Sequence, residues 1–163
     1  MWLVNDLGVV DVSSLLAKIV TVPEEWWWRD MSRQVSKTAT AKNTQSIRFH
    51  TDTEMAMEFE ADLNPILAQY AKGQVRKCLL SRVPSGRNIK LHVDAEPDQA
   101  LLHRIHVPLV TNQKCLFVYP YQGEFFNLRP GHGYEINSNL PHAVVNGGLE
   151  ARIHFVFDYI GVQ

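Results

Sequence analysis

The sequence predicts a mainly β chain with some α: a β sandwich or barrel after residue 74, carrying a helical cover built from the residues before it. Three observations predict this. Past residue 74, short apolar runs are separated by Pro and Gly turns at Pro84-Ser85-Gly86, Gly123, Pro130-Gly131 and Asn146-Gly147-Gly148. Two of those runs alternate in character with the period of a strand. Before residue 74 the punctuation is that of helices, with caps and Pro at first-turn positions.

In chain order, Ser13 and Ser14 can cap a short run, Leu15 to Val20. Pro23 with Glu24 and Glu25 starts a second helix through Trp26, Trp27, Trp28 and Met31. Adjacent helical residues point about 100° apart, so the three tryptophans cannot share one face; one or two are expected in the core and one at a rim. Lys37 to Gln45 is polar and Thr-rich and reads as a loop. Ser46 to His50 and Met55 to Phe59 read as short strands. Asn64 and Pro65 supply a cap and first turn for a third helix through Ile66, Leu67, Tyr70 and Ala71, closing at Gly73.

Strand alternation then sorts the C-terminal side chains. Ile153, Phe155, Phe157 and Tyr159 share one face of the last strand, and Arg152, His154, Val156 and Asp158 the other. In Leu101 to Val110, Arg104 and His106 fall on one face and Leu101, His103, Ile105, Val107 and Leu109 on the other. Two strands that each aim an Arg and a His the same way imply a polar cavity inside an apolar shell, because a buried charge needs a partner.

Composition narrows the function. The chain has 163 residues, 16 Lys and Arg against 17 Asp and Glu, and a formal charge of −1. Neither a phosphate backbone nor an anionic membrane would find a counter-charged face, so neither nucleic acid nor membrane is an expected partner. With 45% hydrophobic residues the chain is ordinarily globular, and its length fits one domain, residues 1–163, divided into the cover (1–74) and the β core (75–163). Cys78 and Cys115 form no metal-binding pair and read as buried small hydrophobes. The first residues carry Asp6 and Asp11 and no basic stretch, so the reading is a cytoplasmic protein without a signal peptide or span.

The chemistry is carried by His92-Val93-Asp94, then His142, then Arg152. His-x-Asp on a strand sets imidazole and carboxylate on one face, and a later His completes a 2-His-1-carboxylate set that covers one side of an octahedral Fe(II) and leaves positions open. The tripeptide alone is weak, with roughly one third of a chance match expected, and the chain offers a second copy, His50-Thr51-Asp52. His92 lies among β signals and His50 does not, so His50 and Asp52 are taken as a decoy. Asn146-Gly147 is a hairpin signal that would fold the His142 strand against the Arg152 strand. A forked guanidinium close to an iron suits a dicarboxylate. His132 and His154 read as structural or surface groups.

Leu80-Ser81-Arg82, His92-Val93-Asp94, Arg104-Ile105-His106-Val107-Pro108-Leu109, Gly131-His132-Gly133, His142-Ala143-Val144-Val145-Asn146, Arg152-Ile153-His154-Phe155 and Asp158, in this order, resemble the aspartyl/asparaginyl β-hydroxylase family of Fe(II)/2-oxoglutarate oxygenases, which includes small bacterial proline hydroxylases. The resemblance covers about residues 78–160. It implies a double-stranded β-helix, a jelly-roll or cupin-like barrel, with Fe(II) and 2-oxoglutarate as cofactors. His92 and His142 match the iron-binding histidines. Arg152 matches the arginine that pairs with the far carboxylate of 2-oxoglutarate, Ser81 a cosubstrate-contacting serine, and Arg104 and His106 an Arg-x-His pair lining the same pocket. Animal members have Gly where this chain has Asp94, so the chain resembles members with a full triad. The implied activity is hydroxylation of an unactivated C–H bond of an amino acid or a residue in a short peptide, with O₂ consumed and 2-oxoglutarate converted to succinate and CO₂. Arg82, Arg87, Asn88, His103 and Tyr121 are candidates to meet the substrate's polar groups. The alternative is a non-oxidative cupin-like barrel that binds a metal or a small anion; Arg152 discriminates, since a redox-inert cupin has no need of a charged fork after its distal His.

Overall fold

The computed structural model describes residues 1–27, 44–49, 53–94 and 102–161. Its frame is a pair of facing antiparallel sheets that do not close into a continuous barrel. Among the described residues ten strands supply them: β1 (Val4–Val9), β2 (Gln45–Arg48), β3 (Gly73–Val83), β4 (Asn88–His92), β5 (Leu102–Val110), β6 (Cys115–Tyr119), β7 (Glu124–Phe126), β8 (His132–Ile136), β9 (His142–Asn146) and β10 (Arg152–Gly161). The larger sheet runs β1-β8-β5-β10-β3-β2 and the smaller β4-β9-β6-β7. Among the described residues, α1 (Ser13–Ile19) and α2 (Thr53–Tyr70) belong to the cover, and residues 24–27 are also helical, within the second helix expected from Pro23. No helix among the described residues is long and apolar enough to cross a membrane.

The larger sheet is buried on both faces, and its alternation assigns each face a different job. Ile105, Val107, Phe155, Phe157, Cys78 and Leu80 join Leu15, Met55, Phe59, Leu63, Ile66 and Tyr70 in one apolar cluster under the helices. Arg104, His106, Arg152, His154, Asp158 and Ser81 are also buried. They occupy the other face by alternation, opposite the smaller sheet, whose own cluster includes Phe117, Tyr119 and Val144. Both cysteines are buried, as expected; burial pushes the Cys78 thiol up to about 12.

The amino-terminal half departs from expectation in three places. Val4–Val9 is not part of a helical cover but an edge strand, β1, paired with β8 through a bulge between Asp6 and Gly8. Gln45, read as loop, opens β2, which pairs with β3. Met55 to Phe59 is helix, not strand: α2 begins eleven residues before Asn64, and Pro65 lies inside it. Met55, Phe59, Leu63, Ile66 and Tyr70 recur at helical spacing and are all buried; their packing outweighs the backbone hydrogen bond that Pro65 cannot donate. At its end Tyr70 lies flat on Gly133, where a Cβ would sit 2.5 Å from the ring, and its hydroxyl donates to the Gly8 carbonyl at 2.9 Å. Trp27 is buried, with the Arg82 guanidinium 4.5 Å over its ring, and Trp26 packs at the cluster's margin. Trp28, His50 and Asp52 lie outside the described residues.

The expected hairpin at Asn146-Gly147 is also corrected. β9 and β10 fall in different sheets, so this segment carries the chain across the sandwich. Asn146 is fully buried. Its amide donates to the carbonyls of Val83, Pro84 and Glu150 at 3.0, 3.2 and 2.8 Å. Its Oδ1 accepts from the Gly148 N–H and the Asn112 amide, both at 3.2 Å. Those partners lock the crossing that sets His142 and Arg152 on opposed walls. Asn146→Ala leaves several buried polar groups unmatched and is expected to lower unfolding free energy by about 3 kcal/mol, read from urea denaturation; a loss under about 0.5 kcal/mol contradicts this role.

Candidate functional site

The metal-ligand candidates come together because β4 and β9 pair with His92 directly opposite His142. The two rings lie 4.4 Å apart between centroids. Asp94, two residues past His92, is tied back by its N–H to the Ser138 carbonyl at 3.3 Å. Its carboxylate lies 3.7 Å from His92 Nε2 and 3.6 Å from His142 Nε2. These separations are too long for hydrogen bonds, yet one ligand atom from each residue falls within 4.8 Å of the others. Both imidazoles are oriented by the same device: Nδ1–H donates to the carbonyl two residues earlier, Lys90 for His92 and Leu140 for His142, each at 2.8 Å. A ring whose Nδ1 carries the proton presents a lone pair at Nε2, the form that binds a metal. Burial drives the His142 pKa down to about 4, so the ring is neutral at physiological pH. The donor set therefore fits a divalent first-row cation.

Arg104 is placed behind this centre. Its Nε and Nη2 donate to the two carboxylate oxygens of Asp158 at 2.7 and 2.6 Å, and its Nη1 donates to Asp94. The expectation that Arg104 lines a cosubstrate pocket is thus revised: its fork is committed to two carboxylates, and it braces a candidate ligand. Asp158, buried on β10 opposite Arg104, had no role in the sequence reading. The signal was present, because the Arg104 and Asp158 faces agree once β5 and β10 are paired.

Deeper between the sheets lies Arg152, 2% exposed. No carboxylate pairs with it among the described residues. Its Nη2 donates to His154 Nδ1 at 2.7 Å and approaches His106 Nδ1 at 3.4 Å. Burial lowers its pKa to about 10, which still leaves it charged. Ser81 is buried opposite His154 in the β3–β10 register. Aromatic contacts join the two ends of the site: Phe117 stacks on His142 at 5.2 Å and meets His106 edge-on at 5.7 Å. The metal-ligand end is the open one, with the His92 side chain 29% exposed.

The substrate candidates do not gather here. Arg82 alternates to the helix side of β3 and donates to Glu24 at 2.8 Å and to Gln45. His103 likewise faces outward; its Nδ1–H meets Glu135 at 2.6 Å and its ring stacks on Tyr159. Arg87 and Asn88 are exposed at the far end of β4 from His92, and Tyr121 is 74% exposed on the β6–β7 turn. Chain proximity to the motif misled for Arg82 and His103, since one residue's shift reverses the face.

His106 and His154 are held neutral far below their ordinary pKa, first by burial and then by the neighbouring guanidinium of Arg152. Above pH 6.5 neither folded nor unfolded chain protonates them. As the pH falls below 6.5 the unfolded chain gains protons that the folded one refuses, so stability drops, approaching about 1.4 kcal/mol per pH unit per histidine. The urea midpoint of the metal-free protein is expected to fall steeply from pH 7 to pH 5; a flat profile over that window contradicts the burial of neutral imidazoles.

Comparison with known proteins agrees with this architecture. A crystal structure of a 2OG-Fe(II) oxygenase family oxidoreductase from Burkholderia pseudomallei superposes with TM-score 0.59 at 15% identity, covering 96% of this chain and 84% of that one. A viral collagen prolyl hydroxylase from Paramecium Bursaria Chlorella virus-1, solved with 2OG, matches at TM-score 0.60 and 11% identity over 99% and 97%. A Pseudomonas putida prolyl-4-hydroxylase matches at 0.53 and 12% over 98% and 93%. At such identities these establish the shared jelly-roll fold. No curated protein sequence matches the chain. The model of the Aspartyl/Asparaginyl beta-hydroxylase family matches residues 51–161, taking in α2 and strands β3 to β10. Over two thirds of its length, then, this chain is a member of the aspartyl/asparaginyl β-hydroxylase family, whose activity is 2-oxoglutarate-dependent hydroxylation.

Proposed function

We propose that the chain hydroxylates an amino acid, free or within a short peptide, with Fe(II) held by His92, Asp94 and His142 and 2-oxoglutarate anchored by Arg152. The observation that carries this reading is the pairing of a preoriented His-Asp-His set with a buried guanidinium that has no carboxylate partner among the described residues, inside one sandwich. Iron and 2-oxoglutarate together supply oxidative chemistry: one oxygen atom of O₂ enters the substrate C–H bond, the other enters succinate, and CO₂ leaves.

The chain's own residues do the positioning. His92 and His142 offer Nε2 lone pairs whose direction is set by the Lys90 and Leu140 carbonyls. Arg104, itself clamped by Asp158, holds the Asp94 carboxylate in place by a hydrogen bond. Arg152 takes the far carboxylate of the cosubstrate, with Ser81 and His106 beside it. A guanidinium in a dry pocket attracts a carboxylate far more strongly than one in water. Phe117 and Val144 wall this deep end from solvent. The substrate enters from the exposed side of His92, which keeps the reacting C–H bond at the metal and the cosubstrate's tail out of its way. Solved relatives by fold include a prolyl hydroxylase from Trichoplax adhaerens bound to a peptide fragment, which supports an amino acid or peptidyl substrate.

Incubation with Fe(II), ascorbate and 2-oxoglutarate is expected to release succinate in step with a hydroxylated product for at least one member of a panel of free amino acids and short peptides. Asp94→Ala should weaken iron retention by tenfold or more. Arg152→Ala should raise the 2-oxoglutarate requirement by about 100-fold and leave iron binding nearly unchanged. Succinate release that never exceeds the substrate-free background, or an Arg152→Ala protein that loses iron and 2-oxoglutarate equally, overturns the assignment.

A further inference from the structure

His154 is the buried polar group that the roles above leave unused. It is 2% exposed, and its Nε2 has no hydrogen-bond partner among the described residues. Arginine has no lone pair to offer, so in the 2.7 Å contact between Arg152 Nη2 and His154 Nδ1 the ring must accept. A neutral ring that accepts at Nδ1 carries its proton at Nε2. Nε2–H is therefore an unmatched donor inside the protein, a condition that native structures rarely leave without a ligand or water. His154 and Arg152 line one cavity with Thr111, Cys115, Phe117 and Val144 among its walls, and no carboxylate lines it among the described residues.

We infer that His154 is a further cosubstrate-binding residue: its Nε2–H donates to the carboxylate that Arg152 holds, so the tail of 2-oxoglutarate rests on a guanidinium–imidazole pair. The inference rests on the reading of the site given above. A carboxylate has two oxygens, and this pair offers each a donor, one charged and one neutral. The contact through Nδ1 also fixes the plane of the guanidinium, because rotation of Arg152 would forfeit it. His106 Nδ1, 3.4 Å from both Arg152 Nη2 and His154 Nδ1, flanks the same group on its other side.

The test uses the full chain loaded with Zn(II), which binds without turnover, and calorimetric titration with 2-oxoglutarate. His154→Leu keeps the bulk and removes the donor; it should weaken binding on the order of 10- to 100-fold. His154→Gln keeps a donor and an acceptor and should stay within about threefold of wild type. Zn(II) affinity should be unchanged in both, and with Fe(II) the 2-oxoglutarate KM should rise in His154→Leu while kcat holds. In ¹⁵N-histidine-labelled wild type, the Nε2–H proton, assigned by its loss in His154→Gln, should move downfield when 2-oxoglutarate is added; this reads the contact even if His154→Leu does not fold. Wild type that binds 2-oxoglutarate with an unmoved Nε2–H signal, or a folded His154→Leu that binds it equally well, overturns the inference and leaves the functional reading intact. Wild type that binds no 2-oxoglutarate overturns both.

Discussion

A guanidinium sealed between two sheets, with imidazoles and, among the described residues, no carboxylate around it, is the constraint on which this structure turns. An arginine cannot shed its charge as a buried lysine can, and burial of an uncompensated cation is costly. The surrounding groups answer in the way that cost requires. His106 and His154 stay neutral and present lone pairs to it. What remains unsupplied is an anion, and a dicarboxylate cosubstrate with one end at the metal brings one.

The second constraint is register. His92 faces His142 across β4 and β9, and that single pairing makes one centre of two segments fifty residues apart. The opposite wall is ordered by β10, which sets Asp158 beside Arg104 and Val156 beside His106 on β5. Asn146 joins the two walls. Its side chain's five hydrogen bonds hold the crossing between sheets, and a Cβ at Gly148 would sit 2.3 Å from the Asn112 amide, so the glycine leaves room for that amide at its hydrogen bond to Asn146. The apolar face of the larger sheet meanwhile packs under the helices, so a polar cavity is sustained without sacrificing the main core.

Period-two alternation made much of this legible. It assigned Arg104, His106, Arg152, His154 and Asp158 to one face before any pairing was known, and it separated the face that packs on the helices. The order His92, Asp94, His142, Arg152 identified the family. Failures came where local signals compete with tertiary contacts. Asn64-Pro65 resembles a helix start, but the buried series Met55, Phe59, Leu63, Ile66, Tyr70 carries α2 through it. Asn146-Gly147 has hairpin chemistry, yet the Asn side chain is spent on carbonyls of another strand's end. Val4–Val9 is a half-exposed edge strand whose partner lies more than 120 residues away, and nothing local announces it. Arg82 and His103 are one position out of register with the pocket, which spacing along the chain does not reveal.

The most direct measurement is an anaerobic titration of the metal-free protein with Fe(II) and 2-oxoglutarate, followed in the visible spectrum. The account predicts a weak charge-transfer band that appears only with both present, saturates at one iron per chain and is absent from His142→Ala. A wild-type protein that binds iron and 2-oxoglutarate yet develops no such band, or a His142→Ala protein that keeps it, would contradict the claim that these strands assemble one iron and cosubstrate centre.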